Sequence, residues 1–114
     1  MSRPIYKSLT APGSTSWEQA NFDAQPFQLT ISVTVTGTVD YDVEYTYDDV
    51  FGLPNPSSWS PTAVNPTVLN DPILVGATTS GETTFDNPIN AWRVTLNSGS
   101  GSLAIAAIQS GITG

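Results

Sequence analysis

Hydrophobic and polar positions alternate along residues 27–47 almost without interruption. Every odd position of this stretch is apolar or aromatic except Gly37, and every even position is Gln, Thr, Ser, Asp or Glu. Because successive side chains of a β-strand point to opposite faces of a sheet, the alternation predicts extended backbone with one face in a core. Ordinary strands have about five or six residues, so the chain has to turn or bend within this stretch.

Gly37 is the place where the turn or bend is expected, and two interpretations preserve the alternation. A loop with an odd number of residues, with Gly37 at a positive φ, would join residues 27–35 and 39–47 as an antiparallel hairpin whose odd side chains share one face. We favour this hairpin. The alternative is one long strand that bends at Gly37 and passes from one sheet to another.

Further strands are predicted wherever short apolar or alternating stretches are separated by Gly, Pro and Asn. Residues 15–24 carry the only helical pattern, a turn or two with Ser16 as the N-cap. About seven short strands without a sustained helix predict an all-β fold, an antiparallel β-sandwich or jelly roll, with residues 1–114 as a single domain. The predicted strands are residues 5–9, 27–35, 39–47, 73–78, 82–85, 91–97 and 103–109.

The last predicted strand is apolar on both faces. Residues 91–97 alternate, the sequence SGSG turns the chain, and residues 103–109 return as the second arm of a hairpin. One face of this arm would meet the opposite sheet. The other face carries Ala104, Ala106 and Ile108, whose mostly small side chains allow another element or subunit to approach closely. These three residues are therefore candidates for partner binding.

Composition removes several kinds of functional site. The chain contains no Cys and no His, and so lacks disulfides, thiolate nucleophiles, and the usual general base and metal ligand. With no catalytic, cofactor-binding or metal-binding motif, we expect a protein that is not an enzyme. No apolar run reaches the roughly 20 residues of a membrane span, and the start MSRPIYKSLTAPGS lacks a signal-peptide stretch. We expect synthesis in a cytoplasm and no membrane partner.

The charge balance is strongly acidic. Three basic residues stand against ten acidic ones, for a net charge of −7. A surface of this sign repels phosphate backbones, so nucleic acid is not an expected partner. We interpret Asp40, Asp42 and Glu44, which share the even face of residues 39–47, as a solvated acidic face that protects a sheet edge.

A cation site is the alternative use of the acidic residues. Asp48 and Asp49 follow the second predicted arm and are candidates to meet Asp71 or Asp86 around a divalent cation. However, Asp-Pro and Asp-Asn-Pro are ordinary turn sequences. We therefore favour acidic residues without a metal.

Residues 50–72 hold five of the nine prolines. Proline fixes φ and removes a backbone donor, so this segment is predicted to be a long, stiff loop with little ladder pairing. Trp59, its largest side chain, is interpreted either as a lid over an open end of the sandwich or as an anchor in a partner's pocket.

Aromatic residues outside this loop could form a sugar-stacking platform. They fall on the parity that fills the core, however, and we favour the core for them. The residues concerned are Tyr41, Tyr45, Tyr47 and Trp92.

Residues 1–13 are interpreted as an extended N-terminal arm. Its first seven residues carry +2, whereas the rest of the chain carries −9. We expect the arm to contact another chain, with Ile5 and Tyr6 providing apolar burial and Arg3 and Lys7 providing ion pairs.

The order of these features resembles a known class of proteins. The sequence GTVDYDVEYTYDDV, then the proline-rich loop with Trp59, then FDNPINAWRVTLNSGSGSLAIAAIQSG, resembles small all-β virion structural proteins of tailed bacteriophages, among them head decoration or cement proteins. The resemblance covers roughly residues 30–111. It implies a homo-oligomeric structural protein of the virion that binds the major capsid protein or other virion subunits in many copies. The alternatives are a tail or adaptor structural protein and a glycan-binding receptor-recognition module.

Overall fold

Residues 4–20, 25–47 and 68–112 are described by the computed structural model of the chain. They form nine strands and no helix, which confirms the all-β prediction. Six of the seven predicted strands correspond to strands of the structure, and the three further strands have only two residues each. Nothing among the described residues is a helix long and apolar enough to cross a membrane. The strands are β1 (Ile5–Leu9), β2 (Gly13–Ser14), β3 (Glu18–Gln19), β4 (Gln25–Thr36), β5 (Asp40–Thr46), β6 (Leu69–Asn70), β7 (Gly81–Phe85), β8 (Ala91–Ser98) and β9 (Ser102–Ile112).

Two antiparallel sheets pack together as a sandwich. Sheet A has the strand order β1-β9-β4-β7, and sheet B has the order β2-β8-β5-β6, with β3 also paired to β8. Read along the chain, β1 pairs with β9, β2 and β3 with β8, β4 with β7, and β5 with β6. One long hairpin is thus wrapped around the core, which places β4 beside β9 and β5 beside β8. This is the connectivity of a jelly roll.

The two predicted hairpins are wrong, because both of their turns are crossings between the sheets. β4 lies in sheet A and β5 in sheet B, and the same holds for β9 and β8. The alternative of a strand that bends at Gly37 is confirmed. The two crossings run side by side. The register in which β4 pairs with β9, with Gln28 opposite Ser110, continues unchanged to Asp40 opposite Ser98 at the start of the β5–β8 pairing.

Glycine makes this double crossing possible. In the shared register Gly37 faces Gly101, and the Gly101 N–H donates to the Thr38 carbonyl at 2.9 Å. A Cβ added at Gly101 would lie 2.3 Å from the Thr36 carbonyl oxygen. Real Cβ atoms do not come that close to a carbonyl, so a side chain at Gly101 would push the two crossing segments apart.

The odd parity fills the core, as predicted. Odd side chains of β4 and β5 and alternate side chains of β8 and β9 meet between the sheets. Two positions depart from the prediction: Thr46 is fully buried, and Tyr47, which follows the end of β5, is 59% exposed. The odd residues confirmed as buried are Phe27, Leu29, Ile31, Val33, Val39 and Val43, and Leu96, which we also expected in the core from the alternation of residues 91–97, is buried as well.

Residues 15–20 are extended, so the predicted helical turns are wrong for the part of 15–24 that is described. Thr15 exchanges hydrogen bonds with the backbone of Val94, through its own N–H at 2.9 Å and through its hydroxyl at 3.1 Å. The Ala20 N–H donates to the Asn90 carbonyl at 2.9 Å. Backbone groups bound to β8 in this way cannot also close a helical turn.

The strand predicted over residues 73–78 is also absent. The Asp71 carboxylate accepts hydrogen bonds from the N–H groups of Ile73 and Leu74, at 3.0 and 2.8 Å, which turns the chain immediately after β6. Gly76 then has a φ of 59°. Backbone contact of residues 73–78 with β5 is limited to a bridge between Ala77 and Tyr41 and a hydrogen bond from the Val43 N–H to the Leu74 carbonyl at 2.7 Å.

Residues 5–9 of the predicted arm form a strand of the domain's own sheet. β1 pairs with β9 along its whole length, from Ile5 opposite Ala107 to Leu9 opposite Leu103. Ile5 and Leu9 pack partly buried against the core. This part of the arm therefore completes sheet A.

Candidate functional site

The outer face of sheet A is an exposed surface with little charge. We use "outer face" for the side chains of sheet A that point away from the core. Three rows across the strands form its central part, and in each row every residue is paired with the next. The rows are Tyr6, Ala106, Ser32 and Glu82; Ser8, Ala104 and Thr34; and Ile108, Thr30 and Thr84.

Apolar atoms and hydroxyl groups dominate this outer face. Tyr6 is 75% exposed and Ile108 is 52% exposed. The hydroxyls of Thr30 and Thr84 lie 2.9 Å apart and form a hydrogen bond between β4 and β7. Glu82 is the only charged side chain in the three rows. A partner can therefore cover most of this face without removing a charge from water, which is the costly step when polar surfaces associate.

The candidate partner-binding residues of the last strand lie together on the outer face. Ala104 is exposed, Ala106 is half-buried, and Ile108 lies on the same side of β9. Tyr6, predicted as part of the arm, is paired directly with Ala106. The structure thus joins four residues that the sequence analysis had placed in two separate segments.

Ile5 and Lys7 point the opposite way from Tyr6. The Lys7 ammonium lies 2.5 Å from a carboxylate oxygen of Glu18 and donates to the Ser16 hydroxyl at 3.2 Å. This ion pair joins β1 of sheet A to β3 of sheet B within one chain. An ion pair from Lys7 to another chain stays a prediction, but Lys7 already has an acidic partner. Arg3 lies outside the described residues.

The outer side of sheet B is acidic, and its carboxylates have partners within the chain. Glu44 accepts hydrogen bonds from the Arg93 guanidinium and the Thr95 hydroxyl, both at 2.7 Å. Asp42 accepts from the Gly76 N–H at 2.6 Å, and Asp40 from the Asn97 amide at 3.2 Å. The interpretation of this face as edge protection is wrong, because β5 lies between β8 and β6.

A cleft of about 240 Å³ lies between the sheets, on the side of the sandwich away from the glycine crossing. The Tyr45 and Tyr47 rings are nearly perpendicular, with centroids 5.8 Å apart, and the Phe85 ring is 5.1 Å from Tyr45. Polar groups beside these rings come from Asp71, Asp86 and Asn87.

Asp71 is a buried structural residue of this cleft. Besides the two N–H groups described above, it accepts a hydrogen bond from the Thr83 hydroxyl at 2.8 Å. These three donors compensate the burial of the carboxylate. Burial raises the pKa of Tyr45 above its ordinary value of 10.0, and electrostatic interaction with the neighbouring Tyr47 and Asp71 raises it further.

The four aromatic residues considered as a sugar platform do not form one. Tyr41 and Trp92 are fully buried in the core, whereas Tyr45 is half-buried and Tyr47 is exposed. The cleft could not be predicted from the alternation, because Tyr41, Tyr45 and Tyr47 share one parity and all were expected in the core. The sequence feature that indicates the cleft is Tyr47, which directly follows Thr46, the last residue of β5.

Some predicted site residues cannot be placed. Trp59, Asp48 and Asp49 lie outside the described residues, so their suggested roles stay predictions. Within residues 4–20, 25–47 and 68–112, no group of three or more acidic side chains is arranged to hold a metal ion. No protein-family model and no curated protein matches this chain in sequence.

Proposed function

We propose that this chain is a bacteriophage virion structural protein, a capsid decoration or cement protein that binds and stabilises the head lattice in many copies. The observation that supports the proposal is the outer face of sheet A, a broad exposed surface with one charged side chain. Jelly rolls are common in viral capsid proteins and also in lectin domains. Fold alone does not decide between such functions, so the argument depends on this surface.

The chemistry of the outer face suits a protein partner. The central parts of protein interfaces are depleted in charged residues and enriched in aromatic ones. Tyr6 offers an exposed ring, Ile108 an exposed aliphatic group, and the neighbouring Ala104 and Ala106 leave room for a partner's side chains. Burial of these apolar atoms contributes about 25 cal/mol per Å², and the hydroxyls supply directional hydrogen bonds around them.

The partner on this face is the major capsid protein or another virion subunit, and a second copy of the chain can bind at the same face in a homo-oligomer. The acidic outer side of sheet B would then face solvent, where like charges keep copies apart. The runner-up is a tail or adaptor structural protein, which would use the same surface on a different lattice. A glycan-binding module is less well supported, since Tyr41 and Trp92 belong to the core.

Loss of apolar surface on the outer face tests the proposal. The variant Tyr6→Ser/Ile108→Ser is produced in cells that assemble virus particles lacking the unmodified chain, and its copies on purified particles are counted by imaging and quantitative mass spectrometry. We expect strongly reduced incorporation of a protein that is still folded. Val75→Ser is the matched control, because Val75 is 45% exposed and lies outside the three rows. Equal incorporation of the double variant and the control would refute the role of this face.

A further inference from the structure

The cleft between the sheets combines aromatic rings with carboxylates. Tyr45, Tyr47 and Phe85 supply the rings, and Asp71 and Asp86 supply the negative charge. The described residues that line the cleft include no Lys or Arg. Rings that meet at 88° and 62° form walls at an angle to one another, and do not form a flat stacking surface. A flat sugar ring is best held by a flat aromatic face, whereas a rounded group fits between angled walls.

Electrostatics favour a positively charged group in this cleft. The chain carries a net charge of −7, and the two cations of the described residues are already paired elsewhere, Lys7 with Glu18 and Arg93 with Glu44. The negative charge of Asp71 also acts on Tyr45, because it raises the pKa of that phenol. Asp86 is exposed and makes no hydrogen bond or ion pair among the described residues. Its carboxylate is thus available to a ligand.

Cations bind aromatic faces because the ring quadrupole places negative charge there, and sites of this kind recognise quaternary ammonium groups. The chain already contains one such contact, between the Arg93 guanidinium and the Trp17 ring at 4.5 Å. A volume of about 240 Å³ is smaller than the roughly 300 Å³ or more of clefts that hold drug-sized ligands. A single ammonium head group is an appropriate size.

We propose that the cleft lined by Tyr45, Tyr47, Phe85, Asp71 and Asp86 binds an organic ammonium cation. Tyr47 and Tyr45 contact the cationic head, Phe85 closes the inner end, and Asp86 supplies the opposite charge at the rim. Asp71 contributes through its field alone, because its oxygens are occupied by three donors. Thr84 lines the cleft and also belongs to the outer face of sheet A, but the five residues of the proposed site lie outside the three rows, and the proposal does not depend on the virion role.

The experiment is an NMR titration of the full chain that follows the ring signals of Tyr45 and Tyr47. Choline is the probe, and 3,3-dimethyl-1-butanol is its neutral counterpart of the same shape. We expect saturable shifts with choline and at least about tenfold weaker binding of the neutral alcohol. Nα-acetyl-lysine amide and its Nε-trimethyl form distinguish the source of the cation. Tighter binding of the lysine compounds assigns the cleft to a protein side chain, and tighter binding of choline assigns it to a small molecule.

Two pairs of variants locate the binding. Tyr47→Ala should abolish saturable binding, whereas Tyr47→Phe keeps the ring and should bind within about twofold of the unmodified chain. Asp86→Asn should weaken choline binding by about threefold or more, and Glu82→Gln, which removes the same charge from the outer face of sheet A, should change it by less than about twofold. Tyr47 and Asp86 are exposed, so these changes leave the core intact.

Three results would overturn the proposal. The first is equal affinity for choline and its neutral counterpart, and the second is an equal effect of Asp86→Asn and Glu82→Gln. The third is the absence of saturable shifts with every ammonium compound. If methyl α-glucoside binds instead, the cleft is a sugar site. None of these results bears on incorporation into particles.

Discussion

Replacement of Gly99 by Ala should destabilise the protein through the crossing between the sheets. A Cβ at Gly99 would lie 2.2 Å from the Thr38 carbonyl oxygen and 2.9 Å from the Val39 Cα, and both are backbone atoms that cannot rotate away. Gly99 also has a φ of 112°, which side chains other than that of glycine rarely tolerate. The two crossing segments have to separate to admit the methyl group.

The expected cost follows from these contacts. Backbone held in a sparsely populated region costs about 1–3 kcal/mol, and separation of the segments weakens the hydrogen bond from Gly101 to Thr38, which contributes about 0.5–1.5 kcal/mol. We therefore expect Gly99→Ala to lower the free energy of unfolding by about 2–4 kcal/mol. At roughly 4 °C per kcal/mol for a domain of this size, the melting temperature should fall by roughly 8–16 °C. Thermal and urea unfolding, followed by Trp fluorescence, measure both quantities.

Gly76→Ala separates the two contributions. Gly76 has a φ of 59°, but a Cβ there would have no heavy atom within 4 Å. Only the conformational cost applies, about 1–2 kcal/mol. If Gly99→Ala costs no more than Gly76→Ala, the close contact between the crossings contributes nothing to stability and the argument fails.

Two further predictions concern the core. Ile31→Ala should cost about 2–5 kcal/mol of unfolding free energy in urea denaturation, because Ile31 is fully buried. Ile108→Ala, on the outer face of the adjacent strand, should lower the free energy of unfolding by less than about 1 kcal/mol. If Ile31→Ala and Ile108→Ala lower it equally, the inner and outer faces of sheet A are assigned wrongly. Burial raises the pKa of Tyr41, whose hydroxyl donates to the Thr79 carbonyl at 2.8 Å. The free energy of unfolding that the neutral Tyr41 phenol contributes is fully present below the unfolded pKa of 10.0. It is lost as pH rises through the folded pKa. Tyr41→Phe should therefore flatten the alkaline decline in stability measured by urea unfolding, and an unchanged slope would contradict this.

The faces of the strands could be predicted from the sequence, but their partners could not. A period of two identifies which side of β4 and β5 is buried, because each side chain is either inside or outside. The same parity is kept by a hairpin at Gly37 and by a bend at Gly37. The difference lies in whether β4 pairs with β5 or with β9, and β9 lies far along the sequence, where local patterning carries no information about pairing.

The ends of the strands also could not be predicted from the sequence. Tyr47 continues the alternation of β5 but lies just past the strand, so it is exposed although its parity predicts burial. Asp71 was interpreted as part of a turn, with a cation site as the alternative, and its burial depends on Thr83, a residue of a different strand. Lys7 was correctly noted as a cation in an acidic protein. Its partner Glu18 could not be identified, because the two residues meet only after the sheets pack together.

The position of β9 between β1 and β4 has a consequence for how the chain is made. Eight strands leave the ribosome before β9, at about 5–20 residues per second, and until then β1 has no neighbour and β4 lacks one of its two. The inner, apolar side of β4 stays open to other nascent chains during this interval. Pairing between such distant segments is slow to form, so we expect β1 to join sheet A last, although β4 can already pair with β7. Sheet A can be completed only after β9 has emerged, because β9 alone joins β1 to β4.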